Sequence, residues 1–206
     1  MNAVNQIDSV ITDLYKDSKN DYFKMMKGIA KSVFRPMQPS DFKDVYLAIS
    51  QEQGNDLIKL ITTNNIKNIV EFGTSFGIST LFLAQGVKAT KGKIITTELI
   101  PSKAQQAIEN FKRAGANDLI EVRVGDALKT LSSHKESIDL LLLDGWKDLY
   151  LPIFQLLEPN FHSKTIIYVD NADMAESQAF LNTISGHSKY HLDYKHHGKV
   201  VLISVK

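Results

Sequence analysis

Residues 138–150 read IDLLLLDGWKDLY, a short apolar run that ends abruptly in charged and aromatic residues. Between Ile138 and Leu143 the only polar residue is Asp139. Such a run is typical of a strand buried on both faces of a parallel sheet. The polar cluster that begins at Asp144 would then lie at the carboxyl end of the strand, where open α/β sheets bind ligands. Alone, such a cluster is more often a loop with solvated charges, so the neighbouring strands must support the functional interpretation.

Around this segment, strands and helices are predicted to alternate. Strand-like runs occupy residues 68–73, 93–99, 119–125, 138–145 and 165–171, and helix-like segments occupy 77–87, 102–114, 127–133, 148–157 and 175–185. This alternation predicts a doubly wound α/β fold with a parallel sheet. The last two runs, 190–197 and 199–206, are separated only by Gly198. They must pair antiparallel, because parallel strands need a longer crossover.

The N-terminal part of the chain has a helical pattern. Apolar residues recur at helical spacing within 4–33, which predicts one or two amphipathic helices, and the segment from Phe34 to Pro39 breaks the pattern. Ser40 could cap a short helix through Ile49, and another helix is expected at 51–65. We therefore expect one domain over residues 1–206, with a helical extension at 1–48 and a Rossmann-like core at 49–206.

Composition excludes several classes of protein. The 206 residues carry a net charge of +1 and no cysteine. The charge gives no reason to expect nucleic acid or an anionic membrane as a partner, and thiolate chemistry and disulfides are excluded. The first residues lack the basic start and apolar centre of a signal peptide, and no apolar run reaches the roughly 18 residues of a membrane span. A cytoplasmic protein is expected.

Three successive strand ends carry features of a nucleotide-type pocket. The first is the turn Gly73-Thr74-Ser75-Phe76-Gly77, where glycine lets the backbone bend sharply before a helix whose N-terminus suits an anion. It is neither the GxGxxG of dinucleotide binders nor a P-loop. Glu98 ends the second strand, at the place where an acid typically binds ribose hydroxyls, and Asp126 follows the third. Each feature alone could be structural, but together they favour an adenosine-containing ligand.

These motifs resemble those of a known family. The succession E-x-G-x-x-x-G-x-S from Glu71 to Ser79, the acid Glu98, the turn 125–127, the run 142–150 and the end of the fifth strand at 169–171 is similar to class I S-adenosylmethionine-dependent methyltransferases. More narrowly, it resembles the metal-dependent O-methyltransferases of the catechol and caffeoyl-CoA type. Residues 144–150 are close to the catechol enzyme's D-H-W-K-D-R-Y, and Asp170-Asn171 matches its metal-binding D-N pair. The fold implied is a seven-stranded, mostly parallel sheet whose last strand is antiparallel.

The resemblance also implies roles for individual residues. Those that would contact S-adenosylmethionine are Ile49 through its backbone, Glu71 and Gly73 at the methionine end, Phe76 in the turn, Ser79 at the carboxylate, Glu98 at the ribose, Asp126 and Ala127 beside the adenine, and Asp144. Asp144, Asp170 and Asn171 would bind Mg²⁺ or a similar divalent cation. Lys147 would be the general base, and Trp146, Lys147 and Asn171 would contact the acceptor.

The chemistry of these residues agrees with the implied roles. Two carboxylates and a carboxamide form an oxygen-only set, which suits a hard cation such as Mg²⁺. A cation at this place would acidify an acceptor hydroxyl, and a partly buried lysine beside it would favour its neutral, proton-accepting form. The expected function is Mg²⁺-dependent O-methyl transfer to a small hydroxylated molecule, of which a catechol-like aromatic is one candidate.

Some residues depart from the catechol pattern. Gly145 replaces its histidine, Ala175 replaces a proline that walls the acceptor, and no acid follows Asp193 where a late glutamate would be expected. His196 and His197 lie near that region instead, and we predict that their turn lies on the same side as Asp170. The departures argue against catechol itself rather than against methyl transfer.

Other functions stay open on the sequence alone. A metal-independent methyltransferase acting on nitrogen or RNA is one alternative, although the neutral charge balance disfavours RNA. A non-catalytic module that binds S-adenosylmethionine is another, disfavoured by the presence of Lys147 and the complete ligand set. A homodimer is one expected assembly, and the acceptor itself is not identified.

Overall fold

The computed structural model describes residues 3–21, 25–26 and 38–206. Its strands are Asn68–Phe72 (β1), Lys93–Glu98 (β2), Ile120–Val124 (β3), Ile138–Leu143 (β4), Phe161–Val169 (β5), Tyr190–Lys195 (β6) and Val200–Val205 (β7). Its α-helices are Ala3–Asp17 (α1), Gln51–Thr63 (α2), Ile78–Thr90 (α3), Pro101–Arg113 (α4), Ala127–Thr130 (α5), Tyr150–Leu157 (α6) and Ala175–Ser185 (α7). Short 3₁₀ turns include Pro39–Phe42, Lys147–Leu149 and His196–Gly198.

The strands form one seven-stranded sheet in the order β3-β2-β1-β4-β5-β7-β6. β1 to β5 run parallel, and β7 pairs antiparallel with both β5 and β6. The order reverses between β1 and β4, so the ends of these strands form the crevice where a doubly wound sheet binds ligands. The predicted α/β fold and the antiparallel C-terminal pair are confirmed.

The core has two layers, one on each face of the sheet. One layer packs α1 to α4 against the sheet, with α3 buried along nearly its whole length. The other packs α5 to α7 against the opposite face. β4 is central to both, because Leu140 to Leu143 are fully buried and alternate between the two layers. The apolar run of β4 is therefore explained by burial on both faces.

The prediction of a helix from Ser40 to Ile49 is wrong. Only a 3₁₀ turn forms, at Pro39–Phe42, and residues 45–50 have no regular secondary structure. The backbone of this stretch is bound by other parts of the chain: Asp21 accepts the Tyr46 N–H, Lys103 donates to the Val45 carbonyl, and Tyr15 donates to the Ile49 carbonyl. These contacts replace the hydrogen bonds that a helix would have made.

Two other boundaries are informative. α1 confirms the helical pattern up to residue 17, but 22–24 and 27–37, which hold the rest of the predicted helical stretch and most of the proline break, lie outside the described residues. β5 begins at Phe161 rather than Thr165, because a register shift near Ile138 lets Phe161 pair with that residue. Polar residues at 162–164 hid this extension. Within the described residues, no helix is long and apolar enough to cross a membrane.

Candidate active site at the carboxyl ends of the strands

The strand ends lie in one row. Backbone hydrogen bonds continue across the sheet just past its edge, from Gly125 N to Glu98 O, from Thr74 N to Thr97 O, from Asp144 N to Phe72 O and from Asp170 N to Leu143 O. The sheet itself therefore brings together four polar segments that are far apart in sequence.

The first of these segments is the glycine turn after β1. Gly73 and Gly77 have φ values of 107° and 91°, and Ser75 has a φ of 50°. Gly73 is also crowded: a Cβ added there would lie 2.5 Å from the carbonyl oxygen of Asp144. Only glycine meets both conditions, the positive φ and the close approach to the next strand end. The turn then leads into α3, whose first N–H groups have no partner within the helix.

Glu71 lies beneath this turn and is fully buried. Its two oxygens accept hydrogen bonds from the hydroxyls of Ser79 (2.6 Å), Thr80 (2.5 Å) and Thr96 (2.6 Å). Burial raises the pKa of Glu71, although these hydroxyls oppose the shift. The Ser79 hydroxyl, which the resemblance places at the cofactor's carboxylate, is thus bound to Glu71 in this structure. The two predicted residues are in mutual contact and hold the turn onto β1 and β2.

Glu98 reaches across to the same turn. One carboxylate oxygen accepts the Ser75 N–H at 2.8 Å and the other accepts the Ile100 N–H at 2.8 Å, and the residue is 8% exposed. The next strand end contributes Asp126, which caps α5 by accepting the Leu128 N–H at 3.0 Å, and Ala127, which is buried. Glu98 and the 125–127 turn are therefore adjacent, as the sequence predicts, while both acids also stabilise local backbone.

Phe76 and Ile49 lie on the side of the turn that faces α1 and α4. The Phe76 ring stacks on Tyr46 with centroids 4.3 Å apart, and the ammonium of Lys103 lies 5.2 Å from the same ring. These two rings line a cavity of about 250 Å³ between α1, residues 44–46 and α4, away from Asp144 and Asp170. Ile49 is 2% exposed, and its carbonyl is bound by Tyr15.

Asp144 and Asp170 stand side by side at the ends of β4 and β5. Burial, followed by the nearby carboxylate of Asp170, raises the pKa of Asp144 well above its usual range, and Lys147 opposes the shift. Two carboxylates this close are unfavourable unless a cation or a proton lies between them. Asn171 follows directly, with a φ of 52°. Among the described residues, no group of three or more His, Cys, Asp or Glu side chains could hold a metal ion. The third expected ligand, Asn171, is not one of these residue types.

Lys147 lies beside Asp144. Its ammonium is 3.7 Å from the carboxylate, donates to the Gly145 carbonyl at 2.9 Å, and has a side chain 14% exposed. It also lies 5.4 Å from the ring centroid of the buried Tyr150, whose hydroxyl donates to the Asp170 carbonyl at 3.1 Å. Lys147 is thus held close to the carboxylate pair but is not enclosed.

The surface beside Lys147 and Asp170 includes the residues that were predicted to lie near the acceptor. Trp146 is partly exposed, and its indole N–H donates to Asp148 at 3.3 Å. A Cβ added at Gly145 would overlap the ring of Phe72, which gives a packing reason for glycine where the catechol pattern has histidine. The final turn meets the β5 end, because Ala172 N donates to Lys199 O at 2.8 Å. Because β7 begins beside the end of β5, the turn lies on the Asp170 side as predicted. His196 Nε2 lies 3.0 Å from a carboxylate oxygen of Asp56.

Gln53 is a site residue that the sequence interpretation missed. It is 1% exposed and donates from Nε2 to Asp170 Oδ1 at 2.5 Å. A signal was present, since Ser50-x-x-Gln53 before an apolar run is a capping box, and both of its hydrogen bonds form here. The pattern would have predicted the helix start, but not the contact with an aspartate 117 residues away.

The chain is similar to known proteins along much of its length. A family model described as O-methyltransferase matches residues 12–177. A catechol O-methyltransferase from Mycobacterium tuberculosis is 34% identical over 126 residues, which covers 61% of this chain and 57% of that protein. This chain therefore spans little more than half the length of that curated relative.

Two solved structures are similar along most of their length. An O-methyltransferase from Bacillus cereus in complex with SAH is 26% identical, has a TM-score of 0.68, and is matched over 83% of its length by 77% of this chain. A cofactor-bound protein from MTB is 26% identical, has a TM-score of 0.69, and is matched over 95% of its length by 94% of this chain. Since the family model covers most of the chain, the chain belongs to the O-methyltransferase family.

Proposed function

We propose that this protein transfers a methyl group from S-adenosylmethionine to a hydroxyl of a small acceptor, with the help of Mg²⁺ or a similar divalent cation. A catechol-like aromatic is one candidate acceptor. The observation that carries the proposal is the pairing of Asp144 with Asp170 at adjacent strand ends, with Lys147 beside them and the Gly73 turn in contact with Asp144. Family membership supports the same reaction.

The residues fit S-adenosylmethionine at the first three strand ends. The Gly73 turn offers a close backbone approach, and the N-terminus of α3, with the Ser79 N–H, suits the carboxylate of the methionine part. Glu98 is within the same row and would accept hydrogen bonds from the ribose, while Asp126 and Ala127 would border the adenine. Four more residues complete the proposed contacts with the cofactor. They are Ile49 in the segment 45–50, Glu71 beneath the Gly73 turn, Phe76 within that turn, and Asp144 at the end of β4.

The residues also fit a divalent cation. Asp144 and Asp170 supply carboxylate oxygens and Asn171 supplies a carboxamide, a set that hard cations prefer. The carboxylate pair supports this assignment. Burial, followed by the nearby Asp170 carboxylate, raises the pKa of Asp144, and a bound cation would offset the repulsion between the two carboxylates. When bound, the cation acidifies the acceptor hydroxyl and S-adenosylmethionine supplies the methyl group.

Lys147 is the proposed general base. Its ammonium would first lose a proton to solvent, after which Nζ accepts the proton of the acceptor hydroxyl. The freed oxygen would then take the methyl group of S-adenosylmethionine, and S-adenosylhomocysteine would be the leaving group. Trp146 and Asn171 would hold the acceptor in line, and much of the acceleration would come from that alignment.

The wider setting follows from the same proposal. A small-molecule acceptor is favoured over nucleic acid by the net charge of +1, and a cytoplasmic location is consistent with the absence of cysteine. A homodimer and a single domain with a helical extension at 1–48 stay predictions.

The test is a transfer assay with labelled S-adenosylmethionine and a panel of hydroxylated aromatics, run with Mg²⁺ and with excess chelator. Methylation of a hydroxyl that needs the cation is expected. Full activity in chelator would favour a metal-independent methyltransferase. Tight binding of S-adenosylmethionine without transfer to any hydroxyl, amine or RNA would favour a binding module.

A further inference from the structure

We propose that Gln53 is a positioning residue, which orients Asp170 toward the cation and links that ligand to the segment 45–50. The inference rests on the proposed function, because it assumes that Asp170 is a metal ligand. It goes further by assigning a role to a residue outside the metal and cofactor sets.

The two ends of the Gln53 amide have different partners. Nε2 donates to Asp170 Oδ1 at 2.5 Å, while Oε1 accepts from Ser50 N at 3.0 Å and from the Lys199 ammonium at 3.2 Å. These partners determine the orientation of the amide. If it were flipped, its NH₂ would face two other donors and its oxygen would face a carboxylate. With 1% of the residue exposed, water has little access to replace these bonds.

One consequence concerns Asp170 itself. The bond from Gln53 to Oδ1 limits rotation of the carboxylate, so that the carboxylate would keep one orientation toward Asp144 and a cation. The Tyr150 hydroxyl holds the backbone of the same residue through its carbonyl. Partners that orient a ligand in this way typically change metal affinity by about 10–100-fold when they are removed.

A second consequence concerns communication. Ser50 ends the segment that carries Ile49, the proposed backbone contact to the cofactor, and Lys199 belongs to the turn that meets the β5 end. Gln53 therefore joins three segments around the site through one side chain. Cofactor binding that shifts residues 45–50 would be transmitted to Asp170, so cofactor and cation should affect each other's affinity, and reciprocally.

The experiment compares Gln53→Met with Ser50→Ala in the full chain. The Met variant removes both ends of the amide. The Ala variant removes only the hydroxyl that caps Gln53 N, and leaves the Ser50 N–H and the amide in place. Mn²⁺ affinity is measured by electron paramagnetic resonance, with and without S-adenosylhomocysteine, and thermal unfolding is followed for both. If Gln53→Met does not fold, Gln53→Asn keeps the amide but is too short to span the same partners.

We expect Gln53→Met to weaken Mn²⁺ binding by about tenfold and to remove its dependence on S-adenosylhomocysteine. Ser50→Ala should retain the wild-type Mn²⁺ affinity and its dependence on S-adenosylhomocysteine, even if its unfolding temperature falls by a similar amount. Equal Mn²⁺ affinity in the two variants, whether preserved or weakened, overturns the role of Gln53. A wild-type protein that binds S-adenosylhomocysteine but no Mn²⁺ overturns this inference together with the metal assignment, and binding of neither overturns the proposed function.

Discussion

The contact between the glycine turn and the β4 end can be tested with Gly73→Ala. At Gly73 the backbone φ is 107°, and an added Cβ would lie 2.5 Å from the Asp144 carbonyl oxygen and 2.8 Å from the Gly145 nitrogen. The obstacle is backbone rather than a flexible side chain, so relief requires that the ends of β1 and β4 move apart. That movement would displace Asp144, on which both cofactor and cation depend in the proposed function.

Gly198→Ala is a matched control. Its φ is 89°, but nothing lies within 4 Å of an added Cβ. The control should therefore lose only the conformational term, on the order of 1–2 kcal/mol. Gly73→Ala should lose a similar amount plus an overpacking cost of about 1–3 kcal/mol. At about 2–4 °C per kcal/mol for a chain of this size, Gly73→Ala should unfold several degrees below the control.

The assays are thermal and urea unfolding for both variants, and calorimetry with S-adenosylhomocysteine. Gly73→Ala should be the less stable and should bind S-adenosylhomocysteine more weakly than wild type, while Gly198→Ala retains wild-type affinity. Equal stability and equal affinity in the two variants would refute the reasoning, because the crowding seen at Gly73 would then have no energetic effect.

Three further outcomes are expected. Glu98→Ala should weaken S-adenosylmethionine binding by roughly 2–3 kcal/mol through the lost ribose hydrogen bonds; unchanged affinity by calorimetry would remove Glu98 from the site. Lys147→Ala should lower turnover by on the order of 10²–10⁴ and be partly rescued at high pH, whereas Asp170→Ala should lose Mg²⁺ dependence without rescue; identical pH profiles for the two variants would contradict these separate roles. Asp139→Asn should cost about 1–3 kcal/mol of unfolding free energy at neutral pH. This difference from wild type should shrink as the pH falls below about 4, and urea unfolding at several pH values would measure it.

The direction of the pH dependence predicted for Asp139→Asn follows from the surroundings of Asp139. Burial opposes its ionisation, but the N–H groups of Asn68 and Lys67, together with His162, hold the pKa of Asp139 below its ordinary value. A carboxylate with a lowered pKa in the folded state stabilises the fold above its unfolded-state pKa and loses that effect as pH falls through the folded-state value. A stability difference that stayed constant down to pH 2 would contradict this account.

Much of the fold was predictable because its signals are local. The apolar run of β4 is buried on both faces. The polar residues Glu98, Asp126, Asp144 and Asp170 lie at or just after the carboxyl ends of strands that share one edge of the sheet. Hydrophobic periodicity and parallel topology together imply that arrangement. The helix predicted from Ser40 to Ile49 was wrong for the opposite reason, since the backbone partners of residues 45–49, which are Tyr15, Asp21 and Lys103, are distant in sequence.

By itself, the sequence determined the alternation of strands and helices, the positions of the strand ends and the chemical types placed there. Only the tertiary structure decided which polar groups act as pairs: Glu71 with Ser79, Asp139 with the start of β1, and Gln53 with Asp170. The physical reason is the distance along the chain over which each signal acts. Periodicity reflects the burial of neighbouring residues, whereas a hydrogen bond within about 3 Å depends on the register of whole elements, and a register shift of one residue turns every side chain of a strand to the other face.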